Sequence, residues 1–181
     1  MKIERAEIQV VKLQLLRPFE TSFGVEYDRI IPILTLFCEG QEGYSEGVMD
    51  TLPLFREEFL SGALSLIKDT FLPRIMNIEI ETPQQIWESL LPFRGNRMAK
   101  AMLEMAVWDL FAKRLNQPLS RVLGGSRNFI PVGVSLGIQP SVEATRDLVK
   151  KHLDQGYRRV KLKIKPGWDV QMISAIRREF P

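Results

Sequence analysis

Apolar and polar residues alternate through most of the first fifty positions, as they do in strands buried on one face. Residues 2–16 are rich in Ile, Val and Leu with charged residues between them, which predicts a long first strand. Two more strands are predicted at about 30–39 and 43–49, separated by the turn-forming residues 39–43 (EGQEG). We expect residues 17–29 to form a loop. The pattern predicts a three-stranded antiparallel meander.

After residue 52 the hydrophobic period lengthens to about 3.6, which is typical of amphipathic helices. Three helices are predicted, at 54–72 before Pro73, from Thr82-Pro83 to about Pro92, and at 98–115. The third helix carries apolar residues at core spacing: Ala101, Met102, Met105, Trp108, Ala112 and Leu115. A short turn at 119–123 is ended by Gly124-Gly125.

The region after Gly125 reads as strand, helix, strand, helix. The predicted elements are 131–137, 140–155, 158–164 and 167–180. Short connections between alternating strands and helices are the signature of a parallel sheet. We therefore predict two domains, an α+β module over 1–124 and a βα module over 125–181.

Three lysines alternate with apolar residues in the last predicted strand: Lys161, Lys163 and Lys165. Side chains alternate between the faces of a strand, so the three ammonium groups share one face. On a half-solvated edge strand the three lysine side chains would form its solvent-exposed face. In a closed barrel, whose outer face is covered by helices, they would point inward, where unpaired amines are costly. The pattern leaves both interpretations open.

Composition and charge argue against some kinds of partner but do not identify a function. The chain has 181 residues, is 45% hydrophobic and 26% charged, and carries a net charge of +3. The basic residues cluster late with little aromatic interleaving, so we expect no nucleic-acid partner. Cys38 is the single cysteine, and the longest apolar run, 30–38, contains Pro32. That run is too short to span a bilayer. We expect a cytoplasmic protein with no membrane partner.

Several local strings resemble one family, and their order and spacing match along essentially the whole chain. They are 17–24 (RPFETSFG), 43–47 (GYSEG), 98–110 (MAKAMLEMAVWDL), 132–137 (VGVSLG) and 160–167 (VKLKIKPG). The chain resembles the o-succinylbenzoate synthase and N-succinylamino acid racemase family of the enolase superfamily. The resemblance implies an α+β capping domain, a three-stranded antiparallel meander plus helices, followed by the first βα units of a TIM-type (β/α)7β barrel.

The resemblance also implies that this chain is the N-terminal portion of a longer protein. A TIM-type barrel needs roughly 250 residues, whereas about 55 follow Gly125. In the family, carboxylate ligands for a divalent metal lie on the third to fifth barrel strands, and a partner lysine lies on a later one. We therefore expect the Mg²⁺ ligands beyond Pro181, none in this chain, and no activity from the 181 residues alone.

By the same resemblance, the chemistry is removal of a proton alpha to a carboxylate, with Mg²⁺ stabilising the enolate. Lys163 is expected to be the acid/base, and Lys161 to assist by holding the substrate carboxylate. Lys165 falls beside Pro166 and is expected to lie outside the chemistry. The structural alternative is that all three lysines are a solvated strand face.

The remaining candidate residues would contact the small-molecule carboxylate substrate. A lid loop starting at Arg17 and ending at Gly24 would contribute Phe19, Thr21, Ser22 and Phe23. The alternative is an ordinary strand connection. Met49, Leu52 and Phe55 would line the pocket or simply pack. Ser135 would reach a substrate oxygen or be a buried hydroxyl bonded to backbone.

The function implied is o-succinylbenzoate synthesis, a dehydration in menaquinone biosynthesis, or N-succinylamino acid racemisation, by a homo-oligomer. Other members of the superfamily, dipeptide epimerases and muconate lactonising enzymes, share the Lys-x-Lys feature and remain alternatives. A non-catalytic truncated polypeptide, or half of a scaffold that pairs with a second chain, is the alternative from another class.

Overall fold

The computed structural model describes residues 1–22, 24–76 and 78–181. They form two compact units. Unit 1 comprises Met1–Leu13 and Ile30–Ser126, and unit 2 comprises Gln14–Arg29 and Arg127–Pro181. The predicted domain boundary near Gly124 stays a prediction, and residues 14–29 group with the C-terminal residues.

The first three strands form the predicted antiparallel sheet, in the order β1-β2-β3. Their bounds are β1 Arg5–Thr21, β2 Gly24–Cys38 and β3 Gln41–Glu46. Strands β2 and β3 pair from Cys38↔Gln41 to Ile33↔Glu46. The turn between them has two residues, Glu39 with φ 49° and Gly40 with φ 77°. Positive φ at both positions matches the right-handed twist of the paired strands.

The predicted loop at 17–29 is wrong. Strand β1 continues to Thr21 and β2 begins at Gly24, so nearly all of this range belongs to a long hairpin. Pro18 suggested a break in the strand, yet β1 is an edge strand of the sheet. An edge strand tolerates proline because an N–H on its outer side has no ladder partner to lose.

The helices of unit 1 follow the predicted order with shifted bounds. They are α1 Leu60–Leu66, a π-helical turn Ile67–Phe71, α2 Leu72–Ile75, α3 Gln84–Leu90, α4 Arg97–Arg114 and α5 Leu119–Val122. Helix α1 starts six residues after the predicted start, because Leu54 and Phe55 are exposed rather than on a core face. Pro73 lies in the first turn of α2 instead of ending the helix. The π-helical turn before it opens the helix where the proline ring would otherwise crowd a carbonyl.

Helix α4 is the centre of the unit 1 core, but its predicted inner face is partly wrong. Met102 and Ala112 are buried, whereas Met105 is 44% exposed and Leu115 is 49% exposed. The buried positions lie one step around the helix: Ala99, Met102, Leu103, Ala106, Val107 and Leu110. The predicted core face differs from the buried one because α4 is apolar on more than one side. Which side is buried depends on the elements that pack against the helix.

Strand β3 holds α4 at close range. The Ser45 hydroxyl donates to the carbonyl oxygen of Met102 at 2.5 Å, and the Tyr44 amide donates to Asp109 Oδ2 at 2.8 Å. A Cβ at Gly43 would overlap the carbonyl oxygen of Ala106 and would lie 2.5 Å from Leu110 Cβ. Only a glycine lets the strand approach this closely.

Unit 2 contains the predicted βαβα arrangement, with shorter strands than predicted. Its elements are β4 Val134–Leu136, α6 Val142–Asp154, β5 Val160–Leu162 and α7 Val170–Glu179. The strands are parallel, as predicted, in the register Val134↔Val160 to Leu136↔Leu162. Beyond these bounds the Lys163 amide still donates to the Leu136 carbonyl oxygen at 3.0 Å, so the ladder continues one step further.

Side chains also define where α6 begins. The Ser141 hydroxyl accepts a hydrogen bond from the Ala144 amide at 3.1 Å, which caps the helix. Hydrogen bonds from its own backbone amide and from the Ser141 hydroxyl lower the pKa of Glu143 in the first turn.

In the part of the chain that the structure describes, no helix combines the length and the apolar content needed to cross a membrane.

Replacing Gly43 with Ala tests the contact between β3 and α4. We expect the free energy of unfolding to fall by about 1–3 kcal/mol, because the added methyl group overlaps backbone and displaces the strand. Chemical denaturation of both proteins measures the change. Gly62→Ala is the control, since in α1 the nearest atoms to the added Cβ belong to the flexible Phe59 side chain. Equal stability of the Gly43→Ala and Gly62→Ala variants would contradict the close-approach argument.

Candidate functional site

The parallel strands of unit 2 present one polar face. Ser135 and Lys161 are register partners on β4 and β5, so their side chains share that face. Leu136, the next residue on β4, is buried on the opposite side. Ser135 is exposed, which contradicts the alternative of a buried hydroxyl. The sheet therefore places Ser135 and Lys161 next to each other on one face, and their roles stay predictions.

The hairpin tip, by which we mean Phe19 and Glu20 of β1, lies along the end of β4. The Ile138 amide donates to the carbonyl oxygen of Glu20 at 3.1 Å. A Cβ at Gly137 would lie 3.3 Å from both Phe19 Cδ2 and the Glu20 carbonyl oxygen. The absence of a side chain at Gly137 thus lets the tip sit against the strand.

Phe19 meets the predicted base at this position. Lys163 Nζ lies 5.9 Å from the centroid of the Phe19 ring, and Lys163 itself is half-buried. The guanidinium of Arg29 is 6.0 Å from the same ring. A cation within about 6 Å of an aromatic face is attracted by its quadrupole. The structure thereby brings together two residues that the sequence separates by more than 140 positions.

Lys165 has a carboxylate partner. Its Nζ donates to Glu20 Oε1 at 2.7 Å, with side-chain exposures of 44% for Lys165 and 34% for Glu20. An ammonium group already paired with a carboxylate is poorly suited to hold a substrate anion. This agrees with the expectation that Lys165 lies outside the chemistry, which stays a prediction.

The other predicted lid residues lie at the hairpin end. The Thr21 hydroxyl donates to the Gly24 carbonyl oxygen at 3.4 Å. Ser22 is exposed. Phe23 lies outside the described residues. The lid is therefore the end of a hairpin rather than an irregular loop, and the substrate contacts assigned to it remain predictions.

The segment that carries Met49, Leu52 and Phe55 belongs to unit 1 and was predicted to line a pocket. Met49 is only 2% exposed and belongs to the unit 1 core, so packing accounts for it there. Leu52 and Phe55 are 59% and 62% exposed within this chain, which is the exposure that a contact with substrate would need. Their roles as pocket residues stay predictions.

The buried carboxylate of Glu58 joins the residues after Phe55 to the N-terminus of α4. Glu58 Oε2 accepts hydrogen bonds from the amides of Met98 at 3.0 Å and Ala99 at 3.1 Å. These amides open α4, where free N–H groups and the helix dipole favour a negative charge. Sequence reasoning missed Glu58 and the pairing of Glu20, because both act on partners at least 40 residues away. No local pattern reports such pairs.

The described residues hold no group of three or more His, Cys, Asp and Glu side chains that could bind a metal ion. Around Lys161 and Lys163 the candidate site supplies ammonium groups and a hydroxyl, and the nearby carboxylate of Glu20 is paired with Lys165. Mg²⁺ requires oxygen ligands, chiefly carboxylates. These residues do not by themselves fit a divalent cation.

Known proteins resemble this chain along its whole length. Residues 5–124 match the family model described as the mandelate racemase / muconate lactonizing enzyme N-terminal domain. An N-succinylamino acid racemase from Thermus thermophilus is 56% identical over 181 residues, 100% of this chain and 49% of that protein. An o-succinylbenzoate synthase from Geobacillus kaustophilus is 40% identical and covers 100% of this chain and 48% of its own length.

A solved structure of an enolase superfamily member from Listeria innocua has the same fold. Its TM-score is 0.93 at 42% identity, and the match covers 100% of this chain and 49% of that one. The chain thus spans about half the length of the relatives that it matches. The predicted capping fold and the predicted resemblance are confirmed.

Replacing Glu58 with Ala should remove the carboxylate that caps α4. Hydrogen bonds to a charged group contribute about 1.5–3 kcal/mol, so we expect a loss of that size in the free energy of unfolding. Glu57→Ala is the matched control, because Glu57 is 77% exposed and contacts Arg56 only at 3.9 Å. Denaturant titration compares the two. If both substitutions have the same small effect, Glu58 does not anchor the segment.

Proposed function

Because the chain belongs to the mandelate racemase / muconate lactonizing enzyme family, we propose that the complete protein removes a proton alpha to a carboxylate. We assign it o-succinylbenzoate synthesis, N-succinylamino acid racemisation, or both. The observation that carries the proposal is the half-buried Lys163, packed beside Phe19 on the strand face that also holds Lys161 and Ser135. The names of the similar proteins support the choice of reaction.

In this proposal Lys163 Nζ accepts the alpha proton. Lys161 lies on the same strand face and holds the substrate carboxylate by its charge, while Ser135 donates a hydrogen bond to a substrate oxygen. Phe19 excludes water from the reacting carbon, which strengthens every electrostatic contact there. In the dehydration, the Lys163 ammonium formed in the first step is also the acid that protonates the departing hydroxyl.

A bound Mg²⁺ would stabilise the enolate as a Lewis acid. The described residues do not supply its ligands, so we assign those ligands to residues beyond this chain. The two lysines contribute to proton transfer and to carboxylate binding whichever residues complete the site.

Two reactions are compatible with the same first step. Dehydration needs one group that takes the proton and returns it to the departing hydroxyl. Racemisation needs a second acid on the opposite face of the substrate, which a lysine outside this chain would supply. Assaying the complete protein for o-succinylbenzoate formation and for racemisation of an N-succinylamino acid distinguishes the two. Adding a dipeptide and a muconate to these assays tests the alternatives of a dipeptide epimerase and a muconate lactonising enzyme.

A non-catalytic polypeptide is the second candidate. Reading the coding DNA past the codon for Pro181 separates the two, because an in-frame strand carrying Asp supports the enzyme. We further propose a cytoplasmic homo-oligomer that has no nucleic-acid or membrane partner. Size-exclusion chromatography with light scattering tests the oligomeric state.

Replacing Lys163 with Ala in the complete protein should lower kcat by at least 10²–10⁴-fold, the usual contribution of a general acid–base group. Substrate binding should be largely retained, since the base acts in the transition state. Lys161→Ala should also lower activity, with a larger share in KM. Steady-state kinetics measure both parameters.

Lys165→Ala is the control for these variants and should change activity by less than tenfold. Circular dichroism confirms that each variant is folded. A folded Lys163→Ala protein with near-normal kcat would mean that the lysines only form the solvent-exposed face of a strand.

The 181-residue chain alone should show no turnover and no measurable Mg²⁺ binding. The reason is that a carboxylate cluster for the metal lies, in this proposal, outside the chain. Isothermal titration with MgCl₂ and both activity assays check this expectation. Turnover by a monodisperse 181-residue protein would overturn the assignment of the metal ligands.

A further inference from the structure

We propose that Glu20 and Lys165 form an ionic latch that holds the hairpin tip on the ends of β4 and β5, so that Phe19 stays beside Lys163. The latch is defined by these two residues, and both are positioning residues. The inference rests on the proposed function, in which Lys163 transfers the proton.

The latch holds one residue of β1 in two ways. The main chain of Glu20 accepts a hydrogen bond from the Ile138 amide at 3.1 Å, just beyond β4. Its side chain accepts one from Lys165 Nζ at 2.7 Å, just beyond β5. Gly137 provides the space, because a side chain there would crowd the tip at 3.3 Å. Glu20 is thus fixed to both strands of the parallel sheet.

The positions along the chain link the latch to the base. Phe19 and Glu20 are neighbours on β1, and they meet Lys163 and Lys165, which are two residues apart. Moving Glu20 away from Lys165 therefore moves Phe19 away from Lys163. The latch also neutralises Lys165, so the positive charge offered to a carboxylate substrate is concentrated on the other two lysines.

The strength of the latch suits a lid. Both side chains are partly exposed, at 44% and 34%. A partly exposed ion pair shifts an equilibrium by about two- to fivefold and is weakened by salt. A contact of this strength favours the closed position and still lets the tip open for substrate entry and product release.

A charge swap in the complete protein tests the latch. Glu20→Lys and Lys165→Glu should each speed hydrogen exchange of the Ile138 amide by about two- to fivefold and raise KM by a similar factor, with kcat little changed. The double variant Glu20→Lys/Lys165→Glu should restore both values to within twofold. Glu20→Gln, which removes the charge but keeps the backbone hydrogen bond, should give the exchange effect without charge repulsion.

The control is an ion pair of the same length on α6. Lys150 Nζ lies 2.7 Å from Asp154 Oδ2 with both side chains exposed. Reversing that pair should leave Ile138 exchange and KM unchanged, and thermal unfolding of every variant confirms folding. Unaltered Ile138 exchange in Glu20→Lys and Glu20→Gln would overturn the latch, as would a double variant no better than the singles.

The two proposals fail separately. If exchange responds and is rescued by the swap while neither activity is detectable, the latch is supported and the proposed function is refuted. If activity is present but exchange does not respond, the proposed function stands and the latch is refuted.

Discussion

The close approach of β3 to α4 organises unit 1. Gly43 leaves no space for a side chain between the strand and the backbone of Ala106. Around that contact the Ser45 hydroxyl and the Tyr44 amide bond to α4, which buries Met102 and its neighbours in the core. Strand β3 can cover this side of α4 only because Gly43 has no side chain where the two elements meet. The N-terminus of the same helix is closed by the buried Glu58, whose segment carries the exposed Phe55.

The long hairpin is shared between the compact units. Parts of strands β1 and β2 belong to unit 1, whereas residues 14–29 belong to unit 2. Within unit 2 the tip is bonded to the ends of β4 and β5 through Glu20.

The three lysines illustrate how context changes the meaning of a pattern. Alternation alone is equally typical of a solvated edge strand. Here Lys165 is paired with a carboxylate, Lys163 is half-buried beside an aromatic ring, and Lys161 lies opposite Ser135 in the register. Each ammonium group has a different environment, and this difference favours distinct roles over a uniform wet face.

The sequence by itself determined the features that depend on neighbouring residues. Its periodicity predicted the meander, the helix that became α4 and the parallel βαβα unit, because each is set by local hydrophobic spacing and by turn residues such as Gly40. The lysine face and the family resemblance were also readable, since both lie in short contiguous strings. Tertiary structure decided the rest. Whether Met105 was buried depended on which side of α4 another element covered, and the hairpin replaced a predicted loop because an edge strand tolerates Pro18. The partners of Glu20 and Glu58 are distant in the chain, and the contact that gives each carboxylate its role exists only after the chain has folded.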